Sequence, residues 1–154
     1  MTKILFICHG NICRSTMAQY VMIHLLEEVG LSDNYYVDSA GVSREEIGNG
    51  VHPGTVRKLR SLGIPVGNHH ARQITTADFK EFDMIIAMDG SNMRNLQRMV
   101  PKGCEKKLSL LLSFAGLNRD IADPWYTGNF DATYNDILCG CKSLLEEIRG
   151  KQNL

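Results

Sequence analysis

Residues 3–15 read KILFICHGNICRS, and this stretch constrains the fold more than any other part of the chain. Residues 4–7 form a short apolar, partly β-branched run, which predicts a buried strand. Cys8 follows at once. From Thr16 the spacing turns helical, with Ala18, Val21, Met22, Leu25 and Leu26 recurring three and four residues apart. Cys8 and Arg14 therefore bracket a tight loop between the carboxyl end of a strand and the amino end of a helix.

That position has chemical consequences. The first N–H groups of a helix lack internal partners, and the helix dipole adds partial positive charge there. Successive loop N–H groups can form a nest for an anion. Gly10 is expected to let the backbone curl around an oxyanion. Asn11 tolerates a left-handed conformation and can bond its side chain back to the loop. Arg14 offers a planar fork matched to two phosphate oxygens. Such a field favours the thiolate of a cysteine placed in it. The stretch predicts a nucleophile at the floor of an oxyanion site.

Bulk properties narrow the class. The 154 residues suit a single domain with a real core, at 44% hydrophobic and 22% charged residues. Lys+Arg and Asp+Glu number 17 each, without the basic excess of a nucleic-acid binder. No apolar run approaches a membrane span, and the N-terminus does not read as a signal peptide. A cytoplasmic protein is expected, with monomer as the simplest state. The five cysteines include no pair at zinc-finger spacing. Cys104, Cys139 and Cys141 read as packing or surface residues. Cys8 and Cys13 differ, because both lie in the anion loop.

Strand and helix signals then alternate, which predicts an α/β fold: a four-stranded parallel sheet with helices on both faces. Helices are expected over residues 16–28, from Pro53 through Leu62, briefly over 77–80, from Asp89 to Met99, and over 130–149. Strands are expected over 35–39 and 83–88, with a fourth apolar run over 108–112. Residues 42–52 and 118–129 read as loops. The second loop holds Asp123-Pro124-Trp125-Tyr126. Cleaving a phosphate ester needs a nucleophile, charge stabilisation and a proton for the leaving oxygen. Asp123 is the candidate proton donor, with Trp125 and Tyr126 as walls beside an aryl ring.

The octapeptide from Cys8 to Ser15, CHGNICRS, resembles the phosphate loop of the low-molecular-weight protein tyrosine phosphatases. Asp123-Pro124-Trp125-Tyr126 resembles that family's general-acid motif, so the similarity spans nearly the whole chain. It implies metal- and cofactor-independent hydrolysis of phosphotyrosine in proteins or peptides, and of small aryl phosphates. Cys8 would be the nucleophile, Arg14 the charge clamp and Asp123 the acid. His9, Gly10, Asn11, Ile12, Cys13 and Ser15 would surround the phosphate, inorganic phosphate being product and inhibitor. Ser15 is read either as a donor to Cys8 or as a helix cap. Ser39 and His69 resemble family residues that support the loop through Asn11.

The mechanism so implied runs through a phosphocysteine. It needs Cys8 ionised while Asp123 is protonated, hence a bell-shaped profile on the acidic side. Peroxide could oxidise Cys8, with Cys13 trapping the product as a disulfide. An arsenate reductase of the same fold is one alternative, but it needs further redox cysteines after the third strand, where Met88-Asp89-Gly90-Ser91-Asn92 has none. A phosphocysteine carrier of a sugar-transport system is another, and it needs no Asp123. Two departures from the family stand out. Thr16 replaces a usual proline, and is expected to loosen the first helical turn slightly. Glu45 and Glu46 occupy the rim, where they should disfavour acidic peptides.

Overall fold

The computed structural model describes residues 1–152. Its centre is a parallel sheet of β1 (Thr2–Cys8), β2 (Tyr35–Gly41), β3 (Met84–Ala87) and β4 (Leu108–Leu110), in the order β2-β1-β3-β4. The pairing sets Ile4 opposite Val37 on one side and Met84 on the other. β1 is central, and both of its faces are covered. Its residues Ile4–Ile7 are fully buried, which is why they read as a continuous apolar run without alternation.

The helices are α1 (Arg14–Glu28), α2 (Pro53–Ser61), α3 (Thr76–Glu81), α4 (Gly90–Met99), α5 (Pro124–Thr127) and α6 (Phe130–Gln152). Ile4 and Phe6 pack with α1 and α6 through Met17, Val21, Ile137 and Leu144. Leu5 and Ile7 pack with α3 and α4 through Phe79 and Leu96. The predicted fold class is thus the observed one. Cys139 is exposed and Cys141 buried, as their two-residue offset on α6 requires.

Several boundaries differ from the sequence reading, three of them in ways that shape the core or the site. α1 begins at Arg14, before the apolar periodicity starts. The apolar run at 108–112 is divided, because β4 ends at Leu110 and a 3₁₀ turn, Leu111–Ala115, carries Leu111 and Leu112 into the core. The loop at 118–129 contains the short helix α5, opened by Pro124 and closed by Gly128 in the left-handed conformation.

From β1 the chain passes to β2 on one side, then to β3 on the other. The connections therefore diverge at the carboxyl end of β1, the position where open α/β sheets hold ligands. Cys8 is the last residue of that strand.

Candidate active site

The loop after β1 is held first by backbone. Val42 N donates to Cys8 O at 3.1 Å, and Ser43 N to His9 O at 3.1 Å. Gly41, paired with Cys8, lies so close that a Cβ there would sit 2.8 Å from His9 O. The sharp turn is made at Asn11, whose φ is 62°, and Gly10 is not among the positive-φ residues. The curl expected of Gly10 thus belongs to Asn11. At Gly10 the close neighbour is Glu46 Cγ, 3.1 Å from where a Cβ would stand.

Asn11 tolerates this conformation because its amide is fully engaged. Oδ1 accepts from Arg72 N at 3.1 Å and faces His69 Nε2 at 2.8 Å. Nδ2 donates to Ser15 Oγ at 2.8 Å and Ser39 Oγ at 2.9 Å. Ser39 Oγ in turn donates to Gln19 Oε1 at 2.6 Å and lies 3.2 Å from His69 Nε2. Ser15 Oγ is 3.0 Å from Cys8 Sγ. Because that oxygen already accepts from Asn11, its own O–H is free for the sulfur. Asn11 N donates to the same sulfur at 3.3 Å. Burial holds the His69 imidazole below its ordinary pKa, although Asp38 on its other nitrogen side pulls the opposite way.

Arg14 is buried beneath the loop. Its NH1 donates to Asp89 Oδ2 at 2.7 Å and to Ile121 O at 2.8 Å. Its NH2 lies 3.4 Å from Asp123 Oδ2. The guanidinium is almost fully enclosed, its side chain 3% exposed. Burial opposes the guanidinium charge, but Cys8, Asp89 and Asp123 outweigh it and raise the pKa. Asp89 also caps α4, with Oδ1 accepting from Asn92 N at 2.7 Å.

Asp123 caps α5, its Oδ1 accepting from Trp125 N at 3.0 Å. Its carboxylate opens onto a cavity of about 100 Å³ lined by Cys8, His9, Gly10, Ile12, Cys13, Glu45, Glu46, Asp123, Trp125 and Tyr126. Asn11, Arg14, Ser15, Ser39 and His69 lie outside that lining and act from beneath. His9 Nε2 is 3.1 Å from Glu45 Oε2 at the mouth. Burial and the neighbouring Cys8 push the Cys13 thiol up to about 12.

Thr16 does not loosen its turn. Its hydroxyl bonds back to Ile12 O at 2.8 Å and Cys13 O at 3.0 Å. Thr55 Oγ1 adds a bond to Cys13 O at 3.3 Å. The constraint expected of proline is supplied by hydrogen bonds on the loop's underside. Sequence reasoning missed Gln19, Arg72 and Asp89, whose partners are remote in the chain. Of the three, Asp89 alone carried a local signal, as an acidic residue after the third strand in a helix-capping position.

Arranged this way, the site sets a sulfur and a carboxyl group on one anion-sized space, with an arginine fork beneath it. Comparison with known proteins accords with that chemistry. The family model for low molecular weight phosphotyrosine protein phosphatases matches residues 3–154. A low molecular weight protein-tyrosine-phosphatase of Bacillus subtilis is 38% identical, with 100% of each chain covered. Its crystal structure superposes with a TM-score of 0.94, covering 98% of this chain and 96% of that one. The pig low molecular weight phosphotyrosine protein phosphatase is 40% identical over 96% of each chain. A protein tyrosine phosphatase of Entamoeba histolytica, crystallised with Hepes in its active site, is 28% identical, covers 99% of both chains and gives a TM-score of 0.92. The chain belongs to the low molecular weight phosphotyrosine protein phosphatase family.

Proposed function

We propose that residues 1–154 form one catalytic domain that hydrolyses protein phosphotyrosine through a phosphocysteine on Cys8. The placement of Cys8 and Asp123 on a single cavity, with the Arg14 guanidinium directly beneath it, carries this reading. The Cys8 thiolate attacks phosphorus in line with the phenolic oxygen. The P–O bond breaks as S–P forms, and protonated Asp123 gives its proton to the departing phenolate. Arg14 and the loop N–H groups hold the equatorial oxygens throughout. Water then attacks phosphorus, Asp123 takes its proton, and phosphate leaves as the Cys8 thiolate returns. Ser15 and the amide of Asn11 supply donors to the sulfur, while Ser39 and His69 hold Asn11. Arg14 and the loop provide the positive field, so neither metal nor cofactor enters the scheme.

Ile12, Trp125 and Tyr126 wall the slot and select a long aryl phosphate. The rim adds a second level of selection. Glu45 and Glu46 both line the mouth, while the nearby cation Arg44 is turned toward Gln73 at 3.0 Å. Neutral or basic peptide flanks suit this rim better than acidic ones. A reduced thiol nucleophile fits the cytoplasm, and a site drawn from one chain fits a monomer. Peroxide would oxidise Cys8 to a sulfenic acid. The Cys13 thiol would then condense with it, releasing water and closing a disulfide that thiols reverse.

The test is hydrolysis of p-nitrophenyl phosphate with a chelator present. Cys8→Ser, folded as judged by circular dichroism, is expected to lose more than about 10³-fold in kcat. Turnover retained in that variant would remove Cys8 from the mechanism.

A further inference from the structure

Asp123 sits on a turn with little burial of its own. Within α5 only Pro124 is buried, whereas Trp125 is 57% and Tyr126 82% exposed. The direct link from Arg14 to Asp123 is long, at 3.4 Å. Upstream of the carboxyl group, Arg14 NH1 holds Ile121 O at 2.8 Å and Thr133 Oγ1 donates to Ala122 O at 3.0 Å; on the downstream side, His52 links the turn to the phosphate loop. His52 N donates to Ile12 O in the phosphate loop at 2.9 Å. Its ring stacks on Phe130, with centroids 5.3 Å apart and planes 26° from parallel. The same ring meets Trp125 edge-on, with centroids 5.8 Å apart at 81°. Trp125 N is the donor to Asp123 Oδ1, and Phe130 opens α6 just downstream. The ring is itself fixed, because Nδ1 accepts from Gly54 N at 2.9 Å. Gly54 leaves the space that Phe130 fills, since a Cβ there would overlap the Phe130 ring.

We propose that His52 is a positioning residue, whose ring holds the Asp123 turn in register with the phosphate loop. The proposal rests on Asp123 being the general acid, so its test must separate the two ideas. A helix cap alone would need only a side-chain acceptor. Positioning of the acid needs the ring.

The experiment measures kcat/KM for phenyl phosphate, whose leaving group requires a proton, and for p-nitrophenyl phosphate, whose leaving group departs well without one. His52→Asn keeps an acceptor for Gly54 N and removes the ring. It is expected to lower kcat/KM for phenyl phosphate at least about tenfold, and to change that for p-nitrophenyl phosphate less than about twofold. His52→Phe keeps a ring and removes the acceptor. It is expected to lower Tm while retaining the wild-type ratio of the two substrates. Asp123→Asn provides the reference ratio for loss of the acid. If it leaves the ratio at the wild-type value, the acid assignment fails. If it shifts the ratio and His52→Asn does not, or if His52→Asn lowers both substrates equally, the positioning role is overturned.

Discussion

Asn11 shows how much one side chain can settle. Its left-handed backbone is uncommon for a residue with a Cβ, and its amide meets the groups that keep it there. The asparagine and its left-handed tendency were legible locally, but the partners were not. His69 lies 58 residues away and Ser39 28 residues away, so only the family resemblance pointed to them. Glu45 and Glu46 act differently, through charge at the mouth. Glu45→Gln combined with Glu46→Gln is expected to raise kcat/KM for a phosphotyrosine peptide with acidic flanks at least about threefold over one with basic flanks. The gap between wild type and variant should narrow as salt screens the exposed carboxylates. Kinetics on the two peptides at low and high ionic strength check both points.

At the scale of elements, α3 anchors the segment that carries His69 and Arg72. Thr75 Oγ1 accepts from Asp78 N at 3.2 Å, and Asp78 Oδ2 accepts from Thr75 N at 2.8 Å, a reciprocal cap. Arg72 adds a two-pronged contact to Asp78, at 2.7 and 3.2 Å. Burial pushes the Asp78 carboxyl up, but Arg72 and Thr75 together hold it below its ordinary 3.8. A folded-state pKa depressed in this way gives stability that is present above the unfolded value and lost as pH falls through the folded one. Asp78→Asn is therefore expected to be less stable than wild type at pH 7, with the gap closing below about pH 3.8. Urea unfolding across that range tests it. Element boundaries were legible where apolar spacing marked them. α1 escaped at its start because Arg14 and Ser15 are buried for polar reasons and carry no hydrophobic signal. α5 escaped because four residues are too few to display a helical period.

At the scale of the molecule, the parallel sheet brings distant segments to one edge. Its alternating strand and helix pattern was visible in the sequence, because both buried faces leave apolar runs. The strand order was not, since no local feature records which neighbours meet. Gly41 lies at the joint between sheet and loop. Gly41→Ala would press a methyl group against two backbone atoms, His9 O and Asn11 N. It is expected to cost about 1–3 kcal/mol of stability and to lower kcat/KM at least about tenfold through displacement of the loop. Denaturant unfolding and p-nitrophenyl phosphate kinetics measure the two effects. The links made by Arg14 have a temporal consequence. Its partners Asp89 and Asp123 are 75 and 109 residues away, and closing loops of that length is slow relative to forming helices. On refolding from urea, turnover is expected to return after the far-ultraviolet signal and never before it. Activity thus serves as a clock for the last long-range closures of the chain.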